Sequence, residues 1–507
     1  MPENRRVAVD LVNVLESDQK GARIIATLAW GDEVRVTKRT AKGVEILLTD
    51  LRDDGTATSV VDVTGFIKAP SKASGISVDQ VLDDGSGTSG RVLRVDFVDV
   101  QQGDGTVVET PEGTTLLIDG GDNQLFARYL AARFGGTSEA APKEIDAILI
   151  THGDADHFVG LTEIHRSEKH SNPRKRLFIH PRRVFHNGLV KRPSSVEEKK
   201  QLGATVKLPD GSLAITGLVD DPRAVAREER NKPFNDWCDA LNAWEKRSGP
   251  IEVQRLDNRS KGATAFSFLN QGVEPGRPQA NVQVLGPIPV DVDGGAGLKF
   301  LGAPTPRIGR QPGDPTTTGL SASHTINGHS VILRLEYGNV HFLFAGDLNE
   351  EAEEHLTTNG GGTLRSEVLK VPHHGSAEYS SAFFKAVSPV VSVVSSGDES
   401  ERKEFIHPRA TLVAALGRNA RSGIDEPVVF ITELAAFFAV EGPARTIGKD
   451  AHDIFAFSRR AFGIVKVRTD GERLLVYTYS GKSDMKEAYA FLVDAGGKVS
   501  ADKIRKC

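Results

Sequence analysis

Short apolar runs alternate with turn residues from position 7 to about 69: VNVL, ARIIATLAWGDEVRV, GVEILLTDL and SVVDVTGFIKA. Runs of this length, rich in β-branched residues and bounded by Gly and Asp, predict strands, so residues 1–75 read as a small all-β domain. Residues 76–90 end in DDGSGTSG, which has no apolar side chain to bury and reads as a linker. From Arg91 the pattern changes. LRVDFVDV and TTLLIDGG are strand-like, NQLFARYLAARF has helical spacing, and AILI at 147–150 is apolar at every position, as a strand covered on both faces must be. The same alternation returns with SVILRLEYG, VHFLFAGD, the helix NEEAEEHL, EVLKVPHH, PVVSVVSSG and the helix HPRATLVAALGR. Residues 91–424 therefore form one mixed α/β domain. Asn349 stands where a helix cap belongs, and Pro408 suits a first helical position. In 425–507, apolar runs around DG and GG predict β-hairpins that either complete the α/β domain or form an appendage. Residues 286–319 hold 14 Gly or Pro in 34 positions, against 75 in the 507 of the chain, which predicts a long irregular loop.

Composition narrows the class. The chain is 39% hydrophobic and 26% charged, as an ordinary globular protein is, and its length allows two to four domains at ~100–200 residues each. Lys and Arg number 63 against 68 Asp and Glu, so no global cationic field advertises nucleic acid, although a local basic face stays open. The two cysteines, Cys238 and Cys507, exclude a disulfide framework and a thiolate-rich metal site. No apolar stretch approaches the ~18 residues of a membrane span, and the start lacks a signal-peptide apolar region. The expectation is a cytoplasmic protein without a membrane partner.

The chemistry concentrates after the buried strand, in AILITHGDADHFVGL. His152, Asp154 and Asp156 alternate out of the strand end, and His157 follows as the next helix begins. One such residue would read as a turn or cap; four within six positions point to a metal. Asp347 follows VHFLFAG, and His373 with His374 follow EVLKV, again at strand ends. Each has an ordinary alternative, a capping acid for Asp347 and core or surface histidines for the pair. Ligands at the ends of neighbouring strands can converge on one edge of a sheet.

In that order, DFVDVQQGD, LLIDGG, THGDADH, FLFAGD, VPHHGS and FIHP resemble the metallo-β-lactamase-fold hydrolases of the ComEC type, across roughly residues 91–410. The resemblance implies a four-layer αββα sandwich with a dinuclear metal site at one edge. It implies that His152 and Asp154 bind one metal, that Asp156 and His157 bind the other, and that Asp347 bridges them. One of His373 and His374, with His374 preferred, completes the second site, and His329 is the candidate for the remaining ligand of the first. Asp119 would support the site from below, and Asp104 would line it. Asp154 stands where the wider superfamily has a second His. ComEC proteins themselves carry membrane spans and this chain has none, so pore-linked DNA uptake does not carry over. The N-terminal segment resembles bacterial SH3-like domains over about 60 residues.

The chemistry that fits is metal-assisted hydrolysis, because two divalent ions ~3.5–4 Å apart activate water and neutralise phosphate oxygens. Zinc or manganese suits the residues, and iron is possible, Asp154 making the site harder than an imidazole would. Asp156 or Asp347 would take the water's proton. His407 would contact a phosphate or protonate a leaving group, or simply cap the helix before Pro408. Residues 166–192 hold nine Lys or Arg and the single acid Glu168, so Arg174, Lys175 and Arg176 are candidate contacts to nucleic acid, with Phe178 and Phe185 to stack bases. The ordinary alternative is a solvated basic face balanced by acids elsewhere. The function expected is a phosphodiesterase or nuclease acting on nucleic acid or a nucleotide. The alternatives are hydrolysis of another ester or amide (a phosphocholine-type ester, a lactone, a lactam) and a non-catalytic metal-binding scaffold that meets a protein partner through the SH3-like domain. GKS at 481–483 lacks the upstream Gly of a P-loop, since position 476 is Val476.

Overall fold

Strand alternation sets the layers. In the strand Thr115–Ile118, Leu116 and Ile118 face one core while Leu117 faces another; in Ala147–Leu149, Ala147 and Leu149 share the first core and Ile148 the second. The computed structural model describes residues 2–53, 58–70, 76–305, 317–359, 363–397, 407–435, 437–445, 453–461, 463–479 and 487–505. The GKS segment and Cys507 lie outside these.

Two sheets face each other across the first core. One has ten strands: a parallel run of Thr115–Ile118, Ala147–Leu149, Arg183–His186 and Glu252–Arg255, extended antiparallel through Thr106–Glu109, Leu93–Val98, Ile464–Thr469, Arg473–Tyr479, Ala488–Val493 and Val499–Asp502. The other has six: Ala280–Gly286, Ile332–Tyr337 and Val340–Phe344 antiparallel, then Val368–Lys370, Val391–Val394 and Val428–Ile431 parallel. Phe97, Phe342, Phe344 and Tyr337 fill the space between them. Helices Leu125–Arg133, Ala155–Ser167 and Lys232–Ser248 cover the outer face of the first sheet with Phe126, Phe158, Trp237 and Trp244. Helices Glu350–Asn359, Ser381–Val387 and Ala410–Asn419 cover the second with Leu356, Phe383, Phe384 and Leu412. The result is an αββα sandwich in which each fully buried large side chain contributes about 1.5–3 kcal/mol of transfer free energy. The last part of the chain lies within both sheets, so the α/β domain continues past residue 424.

Residues 3–53 and 58–68 form an all-β unit, and its seven-stranded sheet also takes in Leu82–Asp83. The segment expected to be a linker is packed. Ser89 and Gly90 are buried, Ser89 Oγ bonds Asp83, and Arg277 Nη1 donates to the Gly90 carbonyl at 2.6 Å. Its polar atoms are satisfied locally, which needs no apolar side chain. Leu11, Ala29 and Trp30 share a buried cluster with Val92, Leu475 and Tyr477, so the unit sits on the sandwich.

Two further expectations are corrected. Within the expected irregular loop, Val290–Val292 and Gly295–Lys299 form a hairpin around Asp293 and Gly294, both at positive φ, which is the turn that a DG pair favours. Residues 306–316 of that loop lie outside the described residues. Pro408 precedes the cap Arg409 and is not the first residue of its helix, whereas Asn349 Oδ1 does accept from Ala352 N at 3.1 Å. Among the described residues, no helix is long and apolar enough to cross a membrane.

Candidate metal centre

Strands of both sheets end at one edge. Asp119 follows Thr115–Ile118, the 151–157 segment follows Ala147–Leu149, Asp347 follows Val340–Phe344, and His373 and His374 follow Val368–Lys370. Gln101, Asp119, His373 and His374 hold positive φ of 64°, 57°, 46° and 50°. Non-glycine residues avoid this region, and such strain gathers at sites whose surroundings over-determine it. Gly103 (φ 99°) is required by proximity: a Cβ there would lie 1.7 Å from the Asp156 carbonyl oxygen.

At that edge Asp156, His157, Asp347 and His374 bring one donor atom each within 4.8 Å of one another. Asp347 Oδ2 is central, 3.2 Å from His157 Nε2 and 3.0 Å from His374 Nε2, and His374 Nε2 is 3.5 Å from Asp156 Oδ2. The outer nitrogens are engaged. His157 Nδ1 is 2.9 Å from Asp119 Oδ2, and His374 Nδ1 is 3.1 Å from the Ser395 carbonyl. Both rings thus aim Nε2 inward, and those two atoms with Asp347 Oδ1 are buried without a hydrogen-bond partner. Buried polar atoms are otherwise paired, so two imidazole nitrogens and a carboxylate oxygen converging unpaired fit a cation. The donor set, two nitrogens and two carboxylates, is suited to zinc, manganese or iron.

Asp119 is held in turn by Thr151, whose N–H and Oγ1 donate to its two oxygens at 2.8 and 2.7 Å. Burial would raise the Asp347 carboxyl, but His157 and His374 outweigh it and hold it well below the usual range. Burial would likewise depress both imidazoles, yet Asp347 leads the neighbouring carboxylates that push them well above the ordinary histidine value. A cation at this point competes with protons on those rings.

The remaining expected residues are placed as follows. His152 is buried beside His157, ring centroids 4.0 Å apart, with Nδ1 shared between Thr151 Oγ1 (3.2 Å) and Ser330 Oγ (3.3 Å). Asp154 lies 2.5 Å from Lys191 Nζ. His329 is not in the cluster. Its ring turns to the Lys299 carbonyl, with Nε2 at 2.7 Å, and burial takes it down to about 4. His373 is 6.3 Å from both His374 and His407, centroid to centroid, in the outer wall. His407 is half-buried and brought to about 4 by burial, with His374 and His373 adding to the effect. Asp104 is buried and turned to Lys370 Nζ and the His374 ring, so it braces the site and does not face open space.

The basic insertion is largely balanced: Arg166 meets Glu163 and Asp236, Arg182 Glu144, Arg183 Glu252, and Arg192 Glu229. Arg174, Lys175 and Arg176 follow the far end of the helix that starts at the site, about 18 Å along its axis. Phe185 is buried in the inter-sheet core and cannot stack a base; Phe178 is half-buried under Arg247, 5.5 Å from the ring centroid.

Residues 98–196 match the metallo-beta-lactamase superfamily. Over 72 residues the chain is 47% identical to competence protein ComA of Neisseria gonorrhoeae, covering 14% of this chain and 10% of that protein. Over 95 residues it is 28% identical to ComE operon protein 3 of Bacillus subtilis (strain 168), covering 18% and 12%. This segment is a metallo-β-lactamase-superfamily domain similar to parts of these competence proteins. It spans only about a tenth of the length of either curated relative, 10% and 12%. What the sequence of this domain does not reveal is its bracing: Ser330, Lys191 and Lys370 carry no motif, Thr151 opens THGDADH without announcing its hold on Asp119, and Lys370 sits in a run that reads as an ordinary buried strand.

Proposed function

We propose that the chain is a metal-dependent hydrolase that cleaves phosphodiesters in nucleic acid or a nucleotide. The observation that carries this reading is the inward-facing, unpartnered set of His157 Nε2, His374 Nε2 and Asp347 Oδ1 at the strand ends of a metallo-β-lactamase fold. In this reading Asp156, His157, Asp347 and His374 hold a divalent ion, and His152 with Asp154 hold a second, for which Lys191 competes. Such ions supply Lewis acidity toward phosphate oxygens and activate water at neutral pH. Asp119 fixes the His157 ring, and Lys370 keeps Asp104 ionised and in place beneath His374. Asp156, its carboxyl held below the usual range against burial by His374 and His157, is the base facing the opening. His407, neutral near pH 7, donates a hydrogen bond to a phosphate oxygen and is not the general acid. Arg174, Lys175 and Arg176 serve polymeric substrates alone, at a distance, and the N-terminal β unit, SH3-like in sequence, recruits a protein partner.

The test is a panel of bis(p-nitrophenyl) phosphate, single- and double-stranded DNA, and carboxylic esters, with manganese or zinc restored to chelator-treated protein. Phosphodiester cleavage that needs the metal and is lost in Asp347→Asn is expected. Cleavage of carboxylic esters alone would overturn the substrate reading.

A further inference from the structure

The N-terminal β unit and the sandwich leave a cavity of about 710 Å³ between them, within the range of small-ligand sites. Its polar walls come from both bodies: Asp32, Glu33 and Arg35 from the β unit; Arg94, Glu109, Arg133, Lys466, Arg468 and Tyr477 from the sandwich. The charges there are linked. Asp96 Oδ2 receives Arg133 at 2.7 Å and Lys466 at 3.1 Å, and Glu109 receives Arg94 at 2.5 Å and Arg133 at 2.9 Å. Asp32 is left to meet Arg468 Nη2 at 3.3 Å. On the sandwich side, Arg94, Arg133, Lys466 and Arg468 thus share Asp96, Glu109 and Asp32, with the buried Tyr477 also against Arg468, while on the β unit Arg35 pairs with Asp62 and Glu33 with Arg6.

Arg468 is 3% exposed and lines the cavity, yet its Nε and Nη1 are buried without a hydrogen-bond partner. Arg94 Nε and Arg133 Nε share that state. Buried guanidinium N–H groups are mostly paired, because an unpaired one forfeits its hydration for nothing, and here three arginines that carry such groups line one hollow. The fork of an arginine matches two oxygens of a phosphate group, and several cations around one hollow match its charge.

We infer that this cavity binds a small phosphate-bearing anion, with Arg468 as its central ligand and Arg94 and Arg133 beside it. The site is separate from the metal centre and does not depend on the proposed activity. Because Asp32 and Arg35 belong to one body and the other cations to the second, the anion ties the β unit to the sandwich.

Isothermal titration of the full chain, stripped of metal by a chelator, tests this with inorganic pyrophosphate and, separately, adenosine monophosphate. One anion bound per chain is expected, with affinity lowered about tenfold or more in Arg468→Gln and in Arg94→Gln, as loss of a charge-assisted pair implies. Arg94 is nearer the rim, so its variant serves if Arg468→Gln melts early by circular dichroism. Tighter binding of pyrophosphate would assign the site to phosphate groups alone, and tighter binding of the nucleotide to a phosphorylated metabolite; either supports the inference. Absence of binding by both, affinity unchanged in a folded variant, or affinity lost in Asp347→Asn would overturn it.

Discussion

Arg473 reaches across 463 residues of chain to Asp10, meeting both carboxylate oxygens through its two Nη atoms, with Nη2 to Oδ2 at 2.9 Å. Asp10 is 1% exposed and Arg473 5%. The same oxygen of Asp10 accepts from Arg505 N at 2.6 Å, and Arg473 Nε donates to Asp502 at 2.6 Å. The N-terminal unit is thus pinned to the sandwich by a buried, fully hydrogen-bonded ion pair.

Removing one partner of such a pair strands the other charge, at a cost of about 3–5 kcal/mol. Asp10→Ala should lower the unfolding free energy by that order in urea titrations, while Glu3→Ala, in an exposed pair, should change it by less than about 1 kcal/mol. Deleting residues 1–85 uncovers Leu475 and Tyr477 as well as Arg473, so the truncated chain should aggregate on gel filtration. A monomeric, stable truncation would show that the β unit is an accessory.

Asp347→Ala should lose most bound metal by plasma mass spectrometry, because its carboxylate sits between both inward nitrogens. Asp119→Ala keeps every donor but frees the His157 ring, so metal affinity should fall about 10- to 100-fold in chelator competition. Equal losses in both variants would mean that Asp119 is itself a ligand.

The contrast between His374 and His329 shows what sequence can carry. His374 follows a strongly patterned run while His329 precedes one, and the strand ends that gather His157, Asp347 and His374 can be read from buried strands broken by clustered His and Asp. Which way a ring turns beyond the strand is tertiary: His329 caps its helix and finds the Lys299 carbonyl, a contact 30 residues away. Pairs such as Lys370 with Asp104 and Arg473 with Asp10 leave no local trace, since a charge in an apolar run does not say what neutralises it. Other features are legible in the sequence. Lys232–Ser248 has an Asn231 cap, Pro233 in its first turn and apolar positions at 234, 237, 238, 241 and 244, a helical stripe. The DG at 293–294 marked a hairpin inside a Gly-rich stretch.

Lys191→Met removes the ammonium that holds Asp154 without altering any proposed ligand. If Asp154 and His152 serve a second ion, the variant should take up more metal than the wild type at limiting concentration, approaching two ions per chain by mass spectrometry. Unchanged stoichiometry would mean that Asp154 is a structural partner of Lys191 and that the centre holds one ion.

Stability should fall steeply with acid for a reason outside the metal centre. Burial alone would raise the Asp96 carboxyl, but Lys466, Arg133 and Arg468 together outweigh it and hold it far below the usual range. Glu109 is lowered against burial by Arg133 and Arg94, and Glu367 against burial by His341 and Arg421. Each carboxylate binds its proton more weakly folded than unfolded, where values near ~4 apply. Their stabilisation is therefore complete above about pH 5 and is lost progressively as pH falls through 4 toward the folded-state values. Urea midpoints measured between pH 3 and pH 7 should show a plateau at the neutral end and a decline at the acid end. Asp96→Asn leaves three cations short of a partner and should be less stable at pH 7, but it removes one titrating group. The gap between variant and wild type should accordingly narrow on acidification; a constant gap down to pH 3 would mean that folding does not shift the Asp96 carboxyl, and a widening gap that it is neutral in the folded protein.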